Sequence, residues 1–361
     1  MNRIRVKTIA PYDVVIGKNI LEECFGEISS RIDGGKALVV TDDGVPFDIV
    51  LRVENGLKRE GKAVFVHRFA RGEVNKTPQT LLGIISFLAE NRFDRNDGVI
   101  AVGGGVVGDV AGLAASLYMR GISYVQIPTT LLAAVDSSVG GKTAVDLPQG
   151  KNLMGAFYQP SLVVCDVLFL KTLSLEDVQC GVGECVKYGL IAGGNLWETL
   201  GCSFLDKSDK LLKTHKNGDI CELDLVNIIS DCVQIKANVV AEDEREGGCR
   251  RVLNLGHSVG HAIEKLSGYT IPHGVCVAKG IVKILQMGVG KYNGADLVEK
   301  VISVFSNYGI DTVCPYSADE ILDAMRSDKK SSGNGLSLVF VREVGDVIIE
   351  RMSFDALGGL L

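Results

Sequence analysis

Residues 99–112, VIAVGGGVVGDVAG, decide the fold class of this chain. Four apolar residues run into three consecutive glycines, and a stretch with helical spacing follows. An uninterrupted apolar strand of this kind is typical of a parallel sheet covered on both faces. The glycine turn could admit a pyrophosphate, because a helix that begins there offers free backbone N–H groups and a positive dipole end. The turn lacks the GxGxxG spacing of the usual dinucleotide site, so an ordinary tight turn stays open as an alternative.

The alternation of strand and helix extends in both directions from this stretch. Further apolar strands are indicated at KALVVTDDG (36–44), AVFVHRF (63–69), SYVQIPTT (123–130) and LVVCDV (162–167). After about residue 173 helical periodicity dominates, and a late hairpin is indicated near residues 335–352. We therefore expect an α/β protein with two domains. The first is a Rossmann-like parallel-sheet nucleotide-binding domain over residues 1–172, and the second is a mostly α-helical metal- and substrate-binding domain over residues 173–361.

The composition argues against several classes of protein. The chain has 361 residues, of which 46% are hydrophobic and 23% charged, and its formal net charge is −6. This acidic balance disfavours nucleic acid as a partner. No apolar run reaches the ~18 residues that a membrane-spanning helix needs. The ten cysteines form no CxxC pair and no targeting segment is visible, so we expect reduced thiols and a cytoplasmic protein.

Three of the five histidines fall within residues 250–274, RRVLNLGHSVGHAIEKLSGYTIPHG. His257 and His261 are four residues apart, which places both rings on one face of a helix. His273 follows after a glycine- and proline-containing break. Clustered imidazoles are typical ligands of zinc and related metals. The alternative is an ordinary pair of surface or core histidines, and a metal site would need a further ligand from elsewhere in the chain.

A carboxylate that could complete such a site lies in GVGECVKYGLI, residues 181–191. Glu184 stands among small residues within an apolar helix, three residues before Lys187. With His257 and His273 it would give three protein ligands and an open position, the pattern of a catalytic zinc site. A surface ion pair between Glu184 and Lys187 is the alternative.

Residues 127–157 contain a third cluster of polar side chains, set beside tight glycine turns. Asp136, Lys142, Lys151 and Asn152 stand near the turns at residues 140–141 and 148–150. Two lysines on such turns suit a phosphate or a polyhydroxy acid. The alternative is a solvated hairpin without a ligand.

Together these motifs resemble the 3-dehydroquinate synthase family, part of the sugar phosphate cyclase superfamily. The resemblance runs from about Val40 to Arg342 and rests on motifs in a fixed order: GGGVVGD, QIPTTLLAAVDSSVGGKTAVD, GKNLMGAFYQP, GECVKYGLI, LNLGHSVGHAIE, PHGVCVA and DKK. The chain departs from the family pattern at Thr172–Ser174, at Gly183, where alanine is common, and across residues 201–222.

The resemblance implies a role for each matching residue. Glu184, His257 and His273 are expected to bind a divalent metal, zinc or cobalt. NAD is expected to lie against Asp42, Glu73, Lys76, Gly104, Gly105, Asp109, Thr129, Thr130, Lys142, Lys151, Phe169 and Thr172. The substrate is expected to meet Asp136, Lys142, Asn152, Lys187, Lys236, Arg250, Asn254, His261 and one of Lys329 or Lys330. Arg120 is expected to enter the phosphate pocket of a neighbouring subunit, which implies a homodimer.

The reaction implied by the resemblance is a step of the shikimate pathway, which leads to chorismate and the aromatic amino acids. A lyase of this family converts 3-deoxy-D-arabino-heptulosonate 7-phosphate into 3-dehydroquinate and phosphate. Transient oxidation by NAD permits elimination of phosphate, and reduction, ring opening and an intramolecular aldol step follow. Three alternatives stay open: a sister cyclase with another carbocyclic product, a metal-dependent polyol dehydrogenase, and a regulator that binds NAD or metal without catalysis.

Overall fold

The computed structural model describes residues 1–202, 220–328 and 335–361. The candidate substrate lysines Lys329 and Lys330 lie outside the described residues, as do most of residues 201–222. Backbone contacts divide the chain into two compact units. Unit 1 consists of Met1–Leu173 and Leu225–Glu244, and unit 2 consists of Ser174–Asp224 and Arg245–Leu361.

Unit 1 is built on a seven-stranded sheet with the strand order β1-β2-β9-β6-β5-β3-β4. Only the β1–β2 pair is antiparallel; the other neighbours are parallel. The strands are β1 (Asn2–Val6), β2 (Tyr12–Gly17), β3 (Lys36–Asp42), β4 (Ala63–Phe69), β5 (Gly98–Gly103), β6 (Ser123–Pro128) and β9 (Leu162–Asp166). A separate antiparallel hairpin is formed by β7 (Lys142–Leu147) and β8 (Gly150–Phe157).

The central strands of this sheet are buried on both faces. Along β3 and β5, successive side chains alternate between two hydrophobic cores, since side chains of a strand point to opposite faces in turn. Val39 and Ile100 belong to one core, and Leu38 and Val99 belong to the other. The uninterrupted apolar character of residues 99–102 therefore reflects burial on both sides of the sheet, as the sequence predicts.

The helices of unit 1 cover these two faces. They are α1 (Leu21–Ser30) and α2 (Phe47–Arg59) in one core and α3 (Pro78–Glu90) and α4 (Gly105–Leu117) in the other. Most of α7 (Ile220–Glu242) also belongs to unit 1. Three short 3-10 segments lie at Glu73–Asn75, Tyr118–Arg120 and Val167–Thr172. A π-helical turn at Ala133–Ser137 precedes the hairpin, and such turns occur frequently at functional sites.

One segment of the second half of the chain, Leu225–Glu244, groups with unit 1, whereas the expected division assigns it to the second domain. Its side chains contact the first part of the chain: Asn2 Nδ2 donates to Ser230 Oγ over 2.9 Å, and Gln159 Nε2 donates to Glu244 Oε1 over 2.9 Å. Helical periodicity indicates that α7 has a buried face, but it does not indicate which core buries that face.

Unit 2 is mostly helical in its described part. Its helices are α5 (Leu175–Ala192), α6 (Gly194–Gly201), α8 (His257–Leu266), α9 (His273–Gly288), α10 (Ala295–Ser306), α11 (Ala318–Asp328) and α12 (Phe354–Gly358). The antiparallel hairpin β10 (Gly335–Glu343) and β11 (Asp346–Ser353) completes it. Helix α9 is buried along most of its length, from Gly274 to Gly288.

The predicted fold class, a parallel α/β sheet followed by a mostly helical part, is confirmed. Within the described residues, no helix combines the length and the apolar character that crossing a bilayer requires.

Candidate active site

Glu184, His257 and His273 lie together in unit 2, with ligand atoms within 4.8 Å of one another. The Nε2 atoms of His257 and His273 lie 3.4 and 3.5 Å from the same carboxylate oxygen, Glu184 Oε1. Two ligands of one tetrahedral zinc ion, each bound at 2.0–2.1 Å, are about 3.3–3.4 Å apart. The donor set and its spacing therefore fit a divalent metal held by one oxygen and two nitrogens.

Close helix packing brings the two histidines together. Both stand at the first position of a helix, His257 of α8 and His273 of α9. Gly256, just before α8, has a left-handed backbone with φ +76°. A Cβ on Gly280 of α9 would lie 2.1 Å from the carbonyl oxygen of Gly256. Only glycines allow this approach of the α8 N-terminus to α9.

His257 and His273 have different partners on their Nδ1 atoms. His257 Nδ1 lies 3.0 Å from the carbonyl oxygen of Leu255, and His273 Nδ1 lies 3.4 Å from Glu264 Oε2. Burial lowers the pKa of His257 to about 3. Burial also acts to lower the pKa of His273, but Glu184 and Glu264 outweigh it and raise that pKa to about 10. At neutral pH these pKa values favour neutral His257 and, in the absence of a metal ion, protonated His273.

Lys187 contacts the carboxylate of Glu184 within α5. The side chains are 1% and 0% exposed, so the surface-ion-pair interpretation of this motif is wrong. A buried carboxylate needs compensating positive charge. Lys187 supplies part of that charge and stands at the metal cluster.

His261 lies one turn along α8, and its ring centroid is 5.5 Å from that of His257 and 5.7 Å from that of His273. It is exposed. Together with Glu264 and His273 it forms a second group whose ligand atoms are close enough to share an ion. The structure therefore brings all three clustered histidines together, and distances alone leave His261 open as a ligand.

Arg250 and Asn254 belong to one 3-10 segment, Cys249–Asn254. Arg250 is buried, with 2% of its surface exposed. Asn254 Nδ2 donates to Glu246 Oε1 over 2.8 Å. Sequence reasoning did not single out Glu246, because it is one of several acidic residues in AEDERE (241–246) and no spacing distinguishes it.

In unit 1 the glycine turn lies at the carboxyl edge of the sheet, the position at which parallel α/β sheets bind ligands. Helix α4 begins at Gly105 with Gly104 as its N-cap, without a side-chain cap. A Cβ on Gly104 would lie 3.0 Å from Thr130, and one on Gly105 would lie 3.1 Å from Ser137. Thr130 and Ser137 therefore line this helix start closely, and a larger residue than glycine at either position would crowd them.

Other expected cofactor residues follow neighbouring strands of the same sheet. Asp42 ends β3, next to β5, and burial raises the pKa of its carboxyl group. Thr129 follows β6 and donates its backbone N–H to the carbonyl oxygen of Gly103 over 2.9 Å. Phe169 and Thr172 lie in the 3-10 segment after β9, where Thr172 Oγ1 donates to the Phe169 carbonyl oxygen.

Lys76 connects the hairpin to α4. Its Nζ lies 2.6 Å from Asp109 Oδ2 and donates to Asn152 Oδ1 over 2.5 Å, and Lys76 is 4% exposed. Burial raises the pKa of Asp109, and the positive charge of Lys76 opposes that effect. Lys151 pairs with Glu73 at 3.1 Å. Lys76 thus links Asp109 to Asn152 beside a separate Lys151–Glu73 pair, and a merely solvated hairpin would not require these contacts.

Two further substrate candidates meet in unit 1. Lys236 of α7 donates to the backbone carbonyl oxygen of Asp136 over 2.7 Å and contacts its carboxylate. Lys142 begins β7 and is exposed, and the Gly140–Gly141 turn before it has a left-handed backbone. Arg120, the candidate subunit-bridging residue, is also exposed and has a φ of +70°.

The fold and these clusters fit one class of protein, the two-unit enzymes that combine a parallel nucleotide-binding sheet with a helical metal-binding part. The family models for the N-terminal and C-terminal parts of 3-dehydroquinate synthase match residues 66–180 and 181–331. A 3-dehydroquinate synthase of Clostridium acetobutylicum is 40% identical over 347 residues, 94% of this chain and 93% of that protein. One of Desulforamulus reducens is 41% identical over 343 residues, 94% and 92% of the two chains.

The chain belongs to the 3-dehydroquinate synthase family and is therefore an enzyme. A solved structure of 2-deoxy-scyllo-inosose synthase with carbaglucose-6-phosphate, NAD⁺ and Co²⁺ superimposes with a TM-score of 0.86 at 24% identity, covering 99% of each chain. At that identity it supports the shared fold alone. The sister cyclase and the polyol dehydrogenase are not favoured as alternatives, since the similar chains of about 40% identity carry the family name.

Proposed function

We propose that this chain converts 3-deoxy-D-arabino-heptulosonate 7-phosphate into 3-dehydroquinate and phosphate, using NAD and a divalent metal. The observation that carries this proposal is the Glu184–His257–His273 cluster in a chain of the 3-dehydroquinate synthase family. The substrate has three features that a protein must recognise: a carboxylate, a set of hydroxyl groups and a phosphate. Positively charged residues are available for the carboxylate and the phosphate, and hydrogen-bonding residues are available for the hydroxyl groups.

Glu184, His257 and His273 would hold the metal, because each histidine Nε2 lies at about the separation from Glu184 Oε1 that two ligands of one tetrahedral ion have. When bound, zinc or cobalt supplies Lewis-acid polarisation of a carbinol oxygen. The carbonyl oxygen of Leu255 fixes His257 with Nε2 toward the cluster. Lys187 keeps positive charge beside the buried carboxylate of Glu184.

The glycine turn before α4 and the residues that follow β3, β6 and β9 would hold NAD, and the uncapped start of α4 would offer backbone N–H groups to its phosphates. When bound, NAD accepts a hydride from the substrate and returns it, so the cofactor is not consumed. Lys76 and Asp109 form a buried ion pair that fixes the inner wall of this site. The same lysine holds the Asn152 amide by its oxygen, which leaves the amide N–H₂ group to donate.

Different residues bind the charged and the neutral groups of the substrate. Arg250 binds the carboxylate, since a guanidinium offers paired donors in the geometry of a carboxylate. In unit 2, Asn254 and His261 donate to substrate oxygens, and Glu246 orients the Asn254 amide. In unit 1, Lys236 is held by Asp136, and Lys142 provides a cation for the phosphate. The chain works as a homodimer in the cytoplasm, and Arg120 adds a positive charge to the phosphate pocket of its partner.

Product identity tests this proposal. Purified protein with NAD and zinc should convert the seven-carbon phosphorylated keto acid into a carbocycle that has lost phosphate, identified by mass spectrometry. A hexose 6-phosphate, which lacks the carboxylate, should not react. Glu184→Gln, which keeps the side-chain volume but weakens the metal site, serves as the control for contaminating activity. Turnover of the hexose phosphate in place of the keto acid would instead establish a sister cyclase.

A further inference from the structure

Glu264 is a buried carboxylate that has no role in the proposed chemistry. It stands on α8 seven residues after His257, and 4% of its surface is exposed. Residues i, i+4 and i+7 share one helix face, so His257, His261 and Glu264 are aligned along α8. A carboxylate near the C-terminal end of a helix is disfavoured by the helix dipole, and burial adds a desolvation cost. A residue that contradicts local preference in this way calls for a compensating contact.

That contact is His273. Glu264 Oε2 lies 3.4 Å from His273 Nδ1, while the opposite nitrogen of the same ring, Nε2, lies 3.5 Å from Glu184 Oε1. The ring is thus held between two carboxylates, one on each nitrogen. His257, by contrast, has the neutral carbonyl oxygen of Leu255 at its Nδ1.

The two histidines also differ in how firmly the chain holds them. The side chain of His257 is 12% exposed and that of His273 is 30% exposed. His273 follows a loop in which Tyr269 and Gly268 have left-handed backbones. The more exposed ring therefore depends more on a side-chain partner for its orientation. A metal-ligating histidine commonly donates its second N–H to a carboxylate, which fixes the ring and makes the ligand nitrogen more basic.

We propose that Glu264 is a positioning residue: it accepts a hydrogen bond from His273 Nδ1 and so directs Nε2 toward the ion held with Glu184 and His257. This inference rests on the proposed metal site. Glu264 itself does not bind the ion, although its oxygen is close enough to His261 and His273 for a second ion to be considered. The choice between these roles can be tested by metal stoichiometry.

The test uses metal-free wild type and the variants Glu264→Gln and Glu264→Met, with Glu350→Gln as the control for loss of a carboxylate elsewhere in unit 2. Zinc affinity is measured by competition with a chromophoric chelator, and bound metal by elemental analysis. Glu264→Gln keeps an acceptor oxygen without charge, and Glu264→Met removes the acceptor at similar volume. We expect zinc affinity to fall by about 10–100-fold, more for Met than for Gln, with an unchanged endpoint of one ion per chain. The control should bind zinc as wild type does.

Cobalt spectra and thermal unfolding separate positioning from general damage. The visible spectrum of the cobalt-loaded Glu264→Met protein should change, because the ring of one ligand is no longer fixed, while the metal-free protein still unfolds in one cooperative transition. Unchanged zinc affinity in both folded variants would overturn the inference. The inference would also be overturned if the wild type bound two ions per chain and the Glu264→Gln protein bound one, because Glu264 would then be a ligand of the second ion. A wild type that binds no zinc would instead refute the proposed metal site.

Discussion

Gly183 of α5 and Gly274 of α9 lie in backbone contact, so that a Cβ on Gly183 would lie 2.0 Å from the carbonyl oxygen of Gly274. Glu184 and His273 are the residues next to these two glycines. A close approach of α5 to α9 therefore places Glu184 of one helix beside His273 of the other, the two residues that we propose as metal ligands. The spacing of the metal cluster depends on this glycine contact as much as on the ligands themselves.

Gly274→Ala should separate the two helices and weaken the metal site. A Cβ on Gly274 would lie 1.7 Å from the carbonyl oxygen of Cys180, and a backbone atom cannot move aside as a flexible side chain can. Overpacking of this kind costs about 1–3 kcal/mol of unfolding free energy. We expect denaturant unfolding to show that loss and zinc affinity to fall as well. Gly201→Ala is the matched control, since a Cβ there would meet nothing within 4 Å. Equal zinc affinity in the two variants would contradict this account.

His257→Ala and His261→Ala should separate metal binding from turnover. His257 lies 3.4 Å from Glu184 Oε1, so its loss should remove metal and activity together. A further imidazole from His261 would close the open position that a catalytic site needs. We expect His261→Ala to retain near-stoichiometric metal while its turnover falls by roughly 10²–10⁴-fold, as for a lost proton-transfer group. Elemental analysis of the folded variants decides the assignment. An empty but folded His261→Ala protein would make His261 a ligand.

Metal binding should release about one proton per chain at pH 8. Glu184 and Glu264 raise the pKa of His273 from 6.5 to about 10, against the effect of burial, so this ring is protonated at pH 8 in the metal-free protein. A metal binds the neutral imidazole, and the proton must leave. His257, with a pKa of about 3, has no proton to lose.

The sign of the accompanying stability change follows from the same pKa. The raised value means that protonated His273 stabilises the metal-free fold fully below pH 6.5, and that this contribution is lost as the pH rises through about 10. Calorimetric zinc titrations in buffers of different ionisation enthalpy measure the number of protons released. That number should fall as the pH is raised from 8 toward 10, because less of His273 is then protonated before binding. No release at pH 8 would show that His273 is already neutral.

Arg250→Ala should weaken binding of the keto acid far more than binding of NAD. Arg250 is buried and belongs to unit 2, whereas the proposed NAD site belongs to unit 1. Loss of a buried charged contact to a carboxylate costs on the order of 2–5 kcal/mol. Arg251→Ala removes the same charge from an exposed neighbour and should change neither affinity. Equal losses for both ligands in equilibrium binding to folded Arg250→Ala would refute the assignment.

The sequence predicts the sheet and the metal cluster because both have strong local signals. Residues 99–112 contain a strand, a turn and a helix start in one stretch, and the structure has β5 and α4 there. His257, His261 and His273 are rare residues at close spacing, and their proximity follows from two helix starts. Glu184 was indicated by its apolar surroundings, and the structure places it in the same cluster.

The remaining features depend on contacts between distant segments, which periodicity does not encode. Helix α7 has a helical pattern, but its grouping with unit 1 depends on partners such as Asp136 and Asn2. The Lys76–Asn152 hydrogen bond joins residues 76 positions apart. Glu246 and Glu264 stand among other acidic residues, and only their contacts with Asn254 and His273 distinguish them.

The ratio of phosphate released to NADH formed tests the central claim most directly. In one reaction with excess keto acid, catalytic NAD and zinc, phosphate is followed colorimetrically and NADH by its absorbance. The account predicts phosphate release equimolar with substrate consumed and no net accumulation of NADH, because the hydride returns to the substrate within each turnover. Reduction of the catalytic NAD to NADH, with consumption of only an equal amount of substrate and no release of phosphate, would contradict it and would identify a dehydrogenase.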